Sequence, residues 1–138
     1  MSEDYSNSGA GMNVVHRNLV VTLNAEPDEA SLRLLQKEML EKIETAPVKG
    51  VLIDVSSVKI IDAALFGLLA GISKMVRLLG PKVIFTGFGA GLASALVDLD
   101  VDLDSIDTAV TLNDAMELIN PVRFEEDLEQ DIEESDSE

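Results

Sequence analysis

Asp98, Asp100, Asp102 and Asp104 put four carboxylates at every second position, the spacing that opens a Ca²⁺-binding loop. Such a loop also needs Gly at its sixth place and a bidentate acid at its twelfth. Counting from Asp98, those places hold Leu103 and Ala109, so the run reads as a solvated acidic loop. Acid–base chemistry has less to work with. His16 is the only histidine, it falls between two short apolar runs, and no Ser or Asp pairs with it by spacing. The absence of Cys removes disulfides and thiolate metal sites, and it suits a reducing cytoplasm. Thr86-Gly87-Phe88-Gly89-Ala90-Gly91 follows a strand-like run and could start a dinucleotide fingerprint. It comes late, however, leaving too few residues for the second half of a nucleotide fold. It also lacks Lys or Arg and has acids close behind. These residues favour neither enzyme chemistry nor a metal or cofactor, and a small nucleotide-binding protein is the weakest reading kept.

A different chemistry is suggested by Val51 to Gly80, VLIDVSSVKIIDAALFGLLAGISKMVRLLG. The pattern is a buried strand, a tight turn, and a helix that begins around Asp62-Ala63-Ala64. A helix N-terminus offers unpaired N–H groups and a positive dipole end, which suits partner docking or an installed phosphate. Phosphorylation would need Ser or Thr there, and the residue is Ala63. Ser56 and Ser57 are nearby, but serines in a turn more often cap backbone groups.

The elements that must position this helix start follow from periodicity. Val14-Val15 and Leu19 to Leu23 read as two strands of a hairpin around His16-Arg17-Asn18. Pro27-Asp28-Glu29 opens a helix with a stripe of Leu32, Leu35, Met39, Ile43 and Ala46, ended by Pro47 and Gly50. Val51-Leu52-Ile53 with Val55 is a strand covered on both faces. The second helix is expected to bury Leu65, Leu68, Leu69, Ile72, Met75 or Val76, and Leu79, and Gly80-Pro81 stops it. Lys82 to Thr86 is another buried strand. A short helix follows, marked by Leu92, Ala95, Leu96 and Leu99, then a short strand at Ala109-Val110. A last helix runs from Leu112 to Ile119, with Thr111 and Asp114 at capping-box spacing. The order β-β-α-β-α-β-α-β-α is that of an α/β domain with a mixed, mostly parallel central sheet.

With that leucine stripe inward, Ala63, Phe66, Gly67, Ala70, Ser73, Lys74 and Arg77 fall on the outer side of the second helix. Phe66 among small residues is either an incidental exposed aromatic or the anchor of a docking patch rimmed by Lys74 and Arg77. Starting at a helix N-terminus favours the patch.

Composition bounds the partners. The chain has 138 residues, a formal net charge of −16 and 46% hydrophobic residues, enough for one core, while 4% aromatics make that core aliphatic. Such acidity repels nucleic acid and anionic membranes. No apolar run approaches a membrane span, and the N-terminus lacks the pattern of a signal peptide. The expected organisation is a disordered lead over 1–11, a compact domain over 12–120 and an acidic tail over 121–138. The tail reads by default as a solubilising end, with a mimic of a kinase substrate or an interaction arm as alternatives; Phe124, Leu128 and Ile132 recur every four residues, so such an arm could become helical on a partner.

The stretch from Asp54 to Gly87 resembles the STAS domains, the anti-sigma-factor-antagonist family, and within it the small stand-alone stressosome scaffold proteins. Asp54-Val55-Ser56-Ser57-Val58 matches the family's DLTSV- or DLSSV-like strand end, and Ile61-Asp62-Ala63 its Ile-Asp-Ser or Met-Asp-Ser helix start. Leu78, Gly80, Lys82, Thr86 and Gly87 match the turn and strand that follow. The likeness extends from the N-terminal strands through Leu96-Val97-Asp98-Leu99. It implies a non-enzymatic, cytoplasmic scaffold that co-assembles with itself and with related STAS sensor proteins and sequesters a switch serine/threonine kinase. Phosphorylation of the Ser after the Asp would release that kinase. Here that position is Ala63, either a natural non-phosphorylatable form or a replacement of Ser that freezes the switch, and Ala95 falls where relatives can carry a second acceptor Thr; neither can take phosphate. The contact surface implied is Asp62, Ala63, Phe66, Gly67, Ala70 and Lys74. A STAS module serving a lipid-transport or membrane-transporter system is the alternative.

Overall fold

Nine elements form in the computed structural model, which describes residues 9–121, and their order is the one expected from the sequence. They are β1 (Gly11–Val15), β2 (Asn18–Thr22), α1 (Glu29–Thr45), β3 (Gly50–Asp54), α2 (Ala63–Leu78), β4 (Lys82–Thr86), α3 (Ala90–Asp98), β5 (Asp107–Ala109) and α4 (Leu112–Ile119). The five strands lie side by side in chain order, with β1–β2 antiparallel and every other pair parallel. The hairpin turns on two residues, His16 and Arg17, both at positive φ (51° and 67°), and Val15 pairs with Asn18. That is the turn whose twist matches paired strands.

The parallel strands are apolar at consecutive positions because both faces are covered. Leu19, Val21, Val51, Ile53, Val83 and Phe85 point into the larger core, shared with residues of α1, α2 and α3. Val20, Leu52 and Ile84 point into a smaller one beneath Ala115 and Ile119 of α4. Three successive crossovers therefore fall on one face, and among the described residues α4 alone closes the other. A side chain at Gly50 would run into Ile119 and the Asn18 amide, so glycine lets α4 press onto β3.

Two boundaries differ from expectation. The last strand is Asp107–Ala109, not Ala109-Val110, because pairing runs Ile84–Asp107 to Thr86–Ala109 and Val110 lies beyond it, exposed. Packing also begins slightly ahead of Met12, with Ala10 buried and β1 opening at Gly11. The expectations for the lead up to residue 8 and for the tail from residue 122, including the Phe124, Leu128 and Ile132 repeat, lie outside the described residues.

Candidate interaction surface at the start of the second helix

Asp54 ends β3 and begins the turn that aims α2. Its Oδ1 accepts the Ser56 N–H (2.9 Å), and the Val58 N–H closes onto the Val55 carbonyl at 3.0 Å. Lys59 then donates its N–H to the Ala25 carbonyl (2.8 Å), fixing the turn to the β2–α1 connection. Val58 and Ile61 are buried, so both ends of the connection are held in the core. Gly87, at φ +87°, packs against the same turn, where a Cβ would come within 2.9 Å of Asp54 Oδ1 and of Ser56. Asp62 is the N-cap of α2 and accepts the Leu65 N–H at 2.8 Å. Ala63 is thus the first helical residue, set by a capped end and an anchored turn.

The buried face of α2 differs from the expected one. Phe66 is 2% exposed, and Ala70 and Ser73 are buried too, whereas Leu79 is 54% exposed. Phe66 stacks at 6.3 Å on Phe85 of β4, which in turn meets Phe88 at 6.4 Å. Ser73 satisfies its hydroxyl on the Ala70 carbonyl at 2.8 Å. The reason is packing on two sides. Leu65, Leu68 and Met75 are half-buried, Met75 sulfur taking the Gln36 amide of α1 at 3.4 Å. Phe66, Leu69, Ala70, Ser73 and Val76 are buried in full, Phe66 directly on β4. Small residues at 70 and 73 bring the helix close to what lies beneath it. Phe66 is therefore a core residue and not an exposed docking anchor.

The outward ridge of α2 is Ala63, Ala64, Gly67, Gly71 and Lys74, all exposed. Ile60, just before the cap, joins it at 66% exposure. Ala63, Gly67 and Lys74, with the flanks of Phe66 and Ala70, form one wall of a groove of ≈ 320 Å³. The opposite wall is Leu99, Asp100, Val101, Asp102 and Ser105. Arg77 braces this second wall, its guanidinium donating to the Ser105 carbonyl at 3.2 Å. The wall turns at Asp100, φ +58°, where the Val101 and Asp100 N–H groups return to the Leu96 and Val97 carbonyls in a Schellman end to α3.

Five of the six expected contact residues thus meet in one groove, and Asp62 caps the helix that forms it. Ala95 does not join them; it is exposed on α3. The acidic run is used locally, with Asp102 Oδ1 accepting the Asp104 N–H at 3.1 Å. No three His or acidic side chains converge among the described residues. Sequence reasoning missed Ile60, which belongs to no periodic run, and the acidic wall, which reads as a plain loop until α3 is seen to end at Asp98.

The STAS domain family matches residues 10–115. The uncharacterized protein YezB of Bacillus subtilis (strain 168) is 32% identical over 95 residues, 64% of this chain and 97% of that protein. A serine-to-glutamate variant of RsbS from Moorella thermoacetica superposes with a TM-score of 0.69 at 26% identity, covering 82% of this chain and 96% of its own. A chain from a structure of the stressosome, described as a signal integration and transduction hub, gives 0.67 at 25% identity, covering 82% and 98%. With its five-stranded mixed sheet and four helices, the chain belongs to the STAS domain family.

Proposed function

We propose that this chain acts by holding other proteins and catalyses nothing: it is a cytoplasmic stressosome-type scaffold and anti-sigma-factor antagonist. It assembles with further copies and with related STAS sensor proteins, and it sequesters a switch serine/threonine kinase on the ridge that begins at Ala63. Likeness to RsbS and to a stressosome chain over nearly their whole lengths supports the class of partner. The observation that carries the contact surface is the pair Gly67 and Gly71. Both are exposed in mid-helix, and a Cβ at either would meet nothing within 4 Å. Glycine there costs the helix about 0.5–1 kcal/mol apiece relative to alanine, with no return among the described residues. Close approach by a partner backbone supplies one.

Ala63 at the first helical position sets the regulation. A phosphoserine there would bring roughly −1.5 to −2 charges to a ridge of small apolar groups facing an acidic wall. The helix end would tolerate that charge and a docked partner would not. Alanine makes this chain one that binds and does not release. The test presents the immobilised full chain to the switch kinase and the STAS proteins encoded by the same genome. Stable capture is expected, and Ala63→Ser should take up phosphate from kinase and ATP where the chain takes none. If Ala63→Ser gains no phosphate over the chain itself, the site assignment is wrong.

A further inference from the structure

We propose that the acidic C-terminal segment of this chain, Glu125 to Glu138, docks on its own domain, on a row of three cations at the N-terminal rim of the sheet. The row is Arg17, Lys49 and Lys82. The Lys49 N–H donates to the Arg17 carbonyl at 2.8 Å and the Lys82 N–H to the Lys49 carbonyl at 3.1 Å, so the three stand at the starts of the adjacent strands β2, β3 and β4, Lys82 one residue further along and in register with Gly50. With strands about 4.8 Å apart, the row spans about 10 Å. All three residues are exposed, and no described carboxylate stands within ion-pair distance of them. Ten Lys and Arg stand against 26 acids in this chain, yet three of the ten gather here at the same end of adjacent strands. Like charges gathered at one end of adjacent strands repel.

The path of the chain brings a counter-charge to this place. α4 ends with Ile119 filling the space above Gly50 and Asn18. The next residue, Asn120, is tied to the rim on both sides. Its Oδ1 accepts from Lys49 Nζ at 3.2 Å, and its Nδ2 donates to the His16 carbonyl at 3.5 Å. The chain therefore leaves its described part at the cationic row itself, at Pro121. Glu125 comes four residues later, no more than about 14 Å of extended chain away. From there to Glu138 the sequence holds nine acids and no base. A tether this short gives an effective concentration on the order of millimolar, while the segments of two copies repel each other. These features select the chain's own segment as occupant. The rim lies at the opposite end of the strands from Ala63, so this proposal and the kinase-binding one stand or fall separately.

The chain has no Cys, so Ser135→Cys gives a single attachment point for a nitroxide on the otherwise full-length protein. Amide spectra of the ¹⁵N-labelled chain are compared at about 20 mM and about 0.5 M NaCl, where screening lengths differ several-fold. Docking predicts at least twofold loss of amide intensity for Arg17, Lys49, Lys82 and their neighbours at low salt, restored at high salt. The loss should vanish in Arg17→Glu/Lys49→Glu/Lys82→Glu. Because that variant bears on the folded domain, Glu125→Gln/Glu126→Gln/Asp127→Asn/Glu129→Gln provides the independent check and should abolish the loss equally. Broadening that ignores salt is what a bare tether produces and overturns the proposal. Persistence in either variant overturns it as well, as does broadening centred elsewhere. Transfer from a spin-labelled unlabelled-isotope copy to a ¹⁵N copy would assign the occupant to a second molecule and overturn the intramolecular contact.

Discussion

Two residues three positions apart on α2 differ in burial, Ala63 exposed and Phe66 in the core, and substitutions separate what each does. Ala63 is exposed at the first helical position, so Ala63→Asp places an acid beside the positive end of the dipole, worth about 0.3–1 kcal/mol in favour of folding. The melting temperature should hold or rise slightly while capture of the kinase falls tenfold or more, read by biolayer interferometry beside a thermal melt. Unchanged capture would remove the ridge from the account. Phe66 lies under the same surface against Phe85. Phe66→Ala should cost about 3–5 kcal/mol in urea denaturation, the usual penalty for emptying an aromatic site in a core. A loss of binding without a loss of stability would restore Phe66 as an exposed anchor.

At the scale of elements, α2 also shows what the sequence could and could not reveal. The order of strands and helices was legible because both faces of β2, β3 and β4 are covered, leaving apolar runs such as Val51-Leu52-Ile53 bounded by Gly50 and Asp54. The cap at Asp62 and the stop at Gly80, φ +121°, were legible as local chemistry. The rotation of α2 was not. A helix flanked on two sides buries an arc wider than one stripe, and with apolar residues at 65, 66, 68, 69, 70, 72, 75 and 76 periodicity leaves the centre of that arc open. Identity of the packing partner, Phe85, fixes it, and that is a long-range fact. The same ridge yields a test in which stability and function move apart. Gly67→Ala has open space for its methyl, so it should stabilise the fold by about 0.5–1 kcal/mol and still weaken partner capture. If capture survives the added methyl, no backbone approaches the helix there. The turn that aims α2 responds differently. Gly87→Ala puts a side chain into Asp54 and Ser56 at a positive φ and should lower stability by more than 1 kcal/mol, on the order expected for a strained backbone site.

Across the whole molecule the two layers are unequal, and that sets which part opens first. α1, α2 and α3 share the large core, whereas α4 rests on a small cluster of Val20, Leu52, Ile84, Ala115 and Ile119, with Leu118 exposed beside it. An eight-residue helix has little stability of its own in water, so α4 depends on that cluster, on the Thr111 cap and on the Asn120 bonds to the rim. α4 should therefore detach as a unit while the larger layer stays folded. Native-state hydrogen exchange in low urea should show Ala115 to Ile119 amides exchanging at a free energy below that of Leu69, Ile72 and Ile53, which are expected to exchange only on global unfolding. Equal values would mean that one cooperative unit includes α4. The ordering matters for the acidic segment, because α4 holds its point of departure beside Arg17, Lys49 and Lys82. Opening α4 would free that segment from the rim without disturbing the surface around Ala63. Ile119→Ala should accordingly raise α4 exchange at least tenfold and leave α2 protection and kinase capture unaltered.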